Sequence, residues 1–135
     1  MESYTEIKKR HSDEFGNFPI CFAFSEKQLQ EALEKLGASQ SDCVTIGSGS
    51  ILRKSDLPNF KSLRERHESE MKKCYESDDF LIQSIIYELG NHEYGYTWDA
   101  SETIDALGLD MDDNRTKSCF QKAKNQYLEL NADNF

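Results

Sequence analysis

Residues 74–114 read CYESDDFLIQSIIYELGNHEYGYTWDASETIDALGLDMDDN, and the fold turns on them. Asp78 and Asp79 stand where the positive end of a helix dipole favours carboxylates. Phe80, Leu81, Ile82, Ile85, Ile86 and Leu89 then follow, apolar nearly all round, as in a helix buried on several sides. Gly90-Asn91 supply its stop. Tyr94, Tyr96 and Trp98 alternate, which predicts a short strand or extended loop carrying three aromatics on one side. Asp99 or Ser101 caps a short helix bearing Ile104 and Leu107, and Gly108 closes it. The stretch predicts a core helix, an aromatic connector and a capped helical turn.

Working upstream, Leu57, Phe60, Leu63, His67, Met71 and Cys74 make one helical stripe, with Pro58 in the first turn and Ser55 or Asp56 as cap. CVTI and ILRK flank Gly47-Ser48-Gly49-Ser50 and predict a hairpin. ICFAF, residues 20–24, is rich in strand formers and reads as a central strand. Ser25 with Gln28 three residues on is a capping box opening a helix whose inner face is Leu29, Ala32, Leu33 and Leu36. Tyr4, Ile7, His11 and Phe15 place a further helix over residues 3–16. Downstream, Asp110, Asp112 and Asp113 lead into a last helix with Phe120, Ala123, Tyr127 and Leu130 as its buried stripe. The fold class expected is α+β: five to six helices packed around a small, mostly antiparallel three-stranded sheet, with residues 1–135 as a single compact domain.

The charge is lopsided. Residues 74–114 hold eleven Asp and Glu and no Lys or Arg, out of 25 acids and 16 bases in a chain of net charge −9, so the rest of the chain is close to neutral. A basic bias from Arg53 to Lys73 reads as the internal counterweight to that segment. An acidic protein is a poor fit to nucleic acid or an anionic membrane, both of which demand positive charge. The four cysteines at 21, 43, 74 and 119 form no C-x-x-C pair, which excludes the usual zinc and redox spacings. No leader-like or bilayer-length apolar run is present, and the expectation is a cytoplasmic protein with reduced, mostly buried thiols.

Few constellations carry chemistry. His92-Glu93 invites an acid–base or metal reading, but the metalloprotease pattern needs a second histidine four residues away. Counted from Asp110, an EF-hand would need Gly and Glu where Arg115 and Gln121 stand. The Gly-Ser loop lacks the ending of a phosphate-binding loop. His11 and His67 fall on apolar rows and read as structural, each satisfied by a hydrogen bond. No catalytic residue, metal ligand or cofactor is therefore assigned. What remains is Glu88, Glu93, Tyr94, Tyr96, Trp98, Asp99, Glu102 and Asp105: rings that give contact area beside carboxylates that meet Lys and Arg, a composition suited to a basic protein surface.

FAFS at 22–25, IGSGSILRKSD at 46–56, and NHEYGYT at 91–97 followed by TIDALGL carry a resemblance over most of the chain. The chain resembles a group of small uncharacterised acidic proteins carried on phages and mobile elements of gut bacteria. That group has no established activity, so the resemblance implies an accessory role and no catalytic residue. The implied role includes inhibition of a nucleic-acid-directed defence enzyme, as an anti-CRISPR protein achieves.

The expected function is thus a non-enzymatic binding protein. It would dock on a basic protein surface, such as that of a nucleic-acid-binding enzyme, without itself binding nucleic acid or membrane. Two alternatives stay open. One is a small hydrolase or metal-dependent enzyme using His92 and Glu93. The other is a homo-oligomeric accessory protein whose aromatics form a homodimer contact.

Overall fold

A computed structural model describes residues 2–132. Its helices are α1 (Tyr4–Gly16), α2 (Glu26–Leu36), α3 (Leu57–Cys74), α4 (Asp78–Asn91), the single turn α5 (Tyr94–Thr97), α6 (Ser101–Leu107) and α7 (Asn114–Leu130). Three strands, β1 (Cys21–Phe22), β2 (Cys43–Thr45) and β3 (Ser50–Arg53), form one antiparallel sheet in the order β1-β3-β2. The class is α+β. The described residues group into two compact units, Thr5–Glu70 and Met71 onward together with the residues through Tyr4.

In the first unit β3 is central. The ICFAF run is an edge strand, not the central one, because the second strand of the hairpin pairs with both neighbours. Only Cys21 and Phe22 join the ladder. The Ala23 N–H still donates to Gly49 O at 2.8 Å, but the Phe24 N–H donates to Gln28 Oε1 at 2.8 Å, so the capping box ends the strand. Ser25 Oγ accepts from the Gln28 N–H at 3.2 Å, and Gly37 closes α2 in the left-handed conformation. Strand alternation sends Cys21, Cys43 and Ile51 to one face, where they pack on Ala32 and Leu36 of α2.

The hairpin loop depends on Gly49. Its φ is +77°, and a Cβ there would lie 2.6 Å from Phe24 Cε1 and 2.9 Å from Ala23 O. A 3-10 turn at Lys54–Asp56 leads into α3. Asp56 accepts from Arg53 Nε at 2.8 Å rather than capping α3 by side chain.

In the second unit α4 is the core helix. Ile85 and Leu89 are fully buried, and with Leu81 and Ile82 they pack against Cys119, Ala123 and Tyr127 of α7. Ser77 Oγ caps α4 at the Phe80 N–H, and Asp113 Oδ2 caps α7 at the Thr116 N–H, 2.9 Å away. α4 ends at Asn91 as expected, with His92 as the C-cap residue, and a Cβ added at Gly90 would meet the Tyr127 ring at 3.7 Å, an ordinary contact. Leu130 is 75% exposed rather than part of the buried stripe, since it lines a shallow groove with Ile86 and Tyr87.

Residues 92–98 depart most from the expected extended connector. Thr97 N–H donates to Glu93 O at 3.2 Å and Trp98 N–H to Tyr94 O at 2.8 Å, one turn of helix. Glu93 at φ 56° and Trp98 at φ 55° bound that turn in left-handed backbone. Tyr94 and Trp98 stand one turn apart and their rings meet, but the chain leaves the helix at Trp98 in left-handed backbone, so Tyr94 is buried while Trp98 stays exposed.

Candidate acidic–aromatic interface

Tyr94 is buried, with its ring edge-on to Tyr127 at 6.0 Å and to Trp98 at 5.8 Å. Trp98 is 59% exposed. Tyr96 lies in α5, and its side chain is outside the described residues. Glu93, Asp99, Glu102 and Asp105 are exposed, the first just ahead of α5, the second in the link to α6 and the last two on α6. Asp99 is also a local brace: its Oδ1 accepts from the Ser101 Oγ–H at 2.6 Å and the Ser101 N–H at 2.9 Å. Those two bonds, the hydroxyl's first, hold its carboxyl below the usual carboxylate range. Glu93 and Asp105 have no ion pair among the described residues.

Glu88 does not belong to this surface. It is 1% exposed, and its Oε1 accepts the Tyr4 hydroxyl at 2.6 Å. Burial, then the bond to Glu88, pushes the Tyr4 phenol well above its ordinary value, so Tyr4 stays a donor. Asn91 Nδ2 lies 3.4 Å from Glu88 Oε2. His92 stands between Glu88 and the surface. Its Nδ1 is 2.9 Å from Glu102 Oε2, and its Nε2 is 3.2 Å from Glu88 Oε2. The second contact lacks hydrogen-bond alignment, leaving Nε2 a buried polar atom without a bonded partner among the described residues.

The side chains beside His92 are those of Glu88 and Glu102 rather than the adjacent Glu93 of the alternative reading. The i, i+4 spacing of Glu88 and His92 was the signal for the first of these. Because the imidazole meets its two carboxylates through different nitrogens, these three groups do not converge as metal ligands would. The array ties the exposed Glu102 on α6 to the buried end of α4.

A second constellation lies in the other unit and was not expected. RHSDE at 10–14 and RHESE at 66–70 share the pattern Arg-His-x-x-Glu on α1 and α3. The His11 and His67 rings stack at 3.8 Å, and each ring meets the other helix's carboxylate: His11 Nε2 to Glu70 at 2.8 Å, His67 Nε2 to Glu14 at 3.2 Å. Arg10 binds Glu14 at 2.9 Å and Glu70 at 2.5 Å, while Arg66 binds Glu70 at 3.1 Å and also pairs with Glu14. Arg66 first, then His67, hold the Glu14 carboxyl at about 2. Arg10 first, then His11, do the same for Glu70, also at about 2. The expected internal counterweight is thus spent differently: Arg53 and Arg66 pair with Asp56, Glu14 and Glu70, outside the acidic segment. Within that segment Asp78 pairs with Arg115 at 2.7 Å.

The family of unknown function DUF7659 matches residues 3–129. The chain belongs to that family. The DUF7659 match takes in both units, the Arg-His-x-x-Glu pair and the whole acidic stretch. No curated protein and no solved structure matches the chain. Among the described residues of this DUF7659 chain, no helix is long and apolar enough to cross a membrane.

Proposed function

We propose that this chain is a binding protein that docks on a basic protein surface through the α5–α6 face. The observation that carries the reading is Trp98, 59% exposed, beside the exposed carboxylates of Glu93, Asp99, Glu102 and Asp105, in a stretch with no Lys or Arg. A large ring with two side-chain torsions supplies contact area at low entropic cost and receives an arginine by cation–π stacking. The carboxylates steer a basic partner and fix its register. Glu88 and Tyr94 act beneath the surface, as the core on which that face rests. In its finer form the proposal has the partner be a nucleic-acid-directed enzyme in the cytoplasm, whose phosphate-binding groove the carboxylates cover. A chain of phage or mobile-element origin would use such a contact as an inhibitor.

The test is capture of partners from a host lysate by three forms. These are the wild type, a variant with Glu93→Gln, Asp99→Asn, Glu102→Gln and Asp105→Asn, and a variant of equal net charge with Glu26→Gln, Glu31→Gln, Glu34→Gln and Glu65→Gln. The reading expects one basic partner retained by the wild type and the control and lost by the α5–α6 variant. Equal recovery by all three would remove it.

A further inference from the structure

A cleft of about 400 Å³ opens in the Thr5–Glu70 unit on the side of the sheet facing away from α2. Its apolar wall is Phe15, Ile20, Phe22, Ile46 and Phe60. Phe15 meets Phe60 edge-on at 6.0 Å, and Phe22 remains 52% exposed at the rim although it belongs to a strand. A concave, mostly apolar site with a few placed polar groups is the ordinary form of a small-molecule pocket, and this volume falls within the usual range of about 300–1,000 Å³.

The polar groups lining the cleft divide into two kinds. Ser50 Oγ donates to Gly47 O at 2.6 Å, and His67 holds Glu14 and stacks on His11. Both are engaged in the fold. Arg64 and Glu68 are exposed, lie one turn apart on α3, and have no ion pair with each other or with any other described residue. The other four arginines of the chain, Arg10, Arg53, Arg66 and Arg115, all meet a carboxylate. Arg64 instead sits over the Phe60 ring, its Cζ 6.0 Å from the centroid. An i, i+4 spacing favours a salt bridge on a helix surface, so two opposite charges left apart at the mouth of an aromatic cleft offer a carboxylate site and an ammonium site side by side.

We propose that this cleft binds a free aromatic α-amino acid. The ligand carboxylate pairs with the Arg64 guanidinium, the ammonium with the Glu68 carboxylate, and the side-chain ring enters between Phe15, Phe22 and Phe60. The charge pattern selects a zwitterion over a simple anion, which Glu68 would repel, and over a simple amine, which Arg64 would repel.

The experiment titrates the full chain with L-phenylalanine, N-acetyl-L-phenylalanine and L-phenylalaninamide. It follows amide resonances of Phe22, Ile46 and Phe60 in wild type, Arg64→Gln and Glu68→Gln, all surface changes read in folded protein. Saturable shifts with L-phenylalanine are expected, with tenfold or greater weakening by either blocked ligand. Arg64→Gln should weaken L-phenylalanine tenfold and abolish its advantage over the amide, while Glu68→Gln should abolish its advantage over the N-acetyl compound. Absence of saturable shifts at these amides overturns the proposal. So do equal affinities for all three ligands, or wild-type affinity in both variants.

Discussion

Tyr4 and Glu88 are 84 positions apart in sequence, yet their 2.6 Å bond is buried in one unit, where a lost partner has no water to replace it. Tyr4→Phe is expected to lower stability by about 1–3 kcal/mol in urea unfolding, and Glu88→Ala by about 3 kcal/mol or more. The double variant should cost less than the two losses added, since both remove the same contact. Glu93 gives a change of opposite sign. Its φ of 56° is left-handed backbone, which costs a residue with a Cβ about 1–2 kcal/mol. Glu93→Gly should therefore leave the chain as stable or about 1 kcal/mol more stable by the same measurement, despite the entropy glycine adds to the unfolded state. Gly49→Ala should destabilise by about 2 kcal/mol or more, because strained φ and the collision with the backbone Ala23 O act together. Gly16→Ala, with φ < 0 and no atom near its added Cβ, is the matching control and should be neutral or mildly stabilising.

At the scale of elements, the α1–α3 cluster makes stability depend on acid. Glu14 and Glu70 both titrate at about 2 in the folded chain, against an ordinary 4.5. A carboxylate depressed on folding contributes fully above its unfolded value and loses that contribution as pH falls through the folded one. Urea midpoints should accordingly fall between about pH 4.5 and pH 2, and the double change Glu14→Gln, Glu70→Gln should flatten that part of the profile. The elements themselves were largely legible. Ser25 and Asp113 cap helices as small polar side chains do, and the nearly all-round apolar pattern of α4 marked the core, although its cap is Ser77 rather than the aspartates that follow it. The turn at 94–97 was not, because Tyr-x-Tyr-x-Trp is too short to separate period 2 from a single helical turn. Glu93 and Trp98, rather than Gly95, take the positive φ that decided it. The order β1-β3-β2 was hidden for a related reason: ICFAF is as apolar as a central strand, but the Phe24 N–H is spent on the α2 cap. Of the eight residues expected at the interface, local sequence could not reveal that Glu88 is buried, since its partner Tyr4 lies at the far end of the chain.

For the molecule as a whole, the net charge of −9 falls on one continuous stretch, and the α5–α6 face presents Glu93, Asp99, Glu102 and Asp105 of that stretch beside the chain's single tryptophan. Attraction between exposed charges is screened beyond about 8 Å at physiological ionic strength, so binding of a basic partner should weaken steadily as salt is raised. Because Trp98 is the only tryptophan, its fluorescence reports that face alone. The direct test is titration with an oligoarginine peptide, following Trp98 emission in the wild type, in the Glu93/Asp99/Glu102/Asp105 amide variant and in the charge-matched Glu26/Glu31/Glu34/Glu65 variant. A saturable, salt-sensitive change is predicted in the wild type and the charge-matched variant, with affinity at least tenfold lower in the α5–α6 variant. Equal loss of affinity in both variants, or no change at Trp98 on binding, would contradict the account.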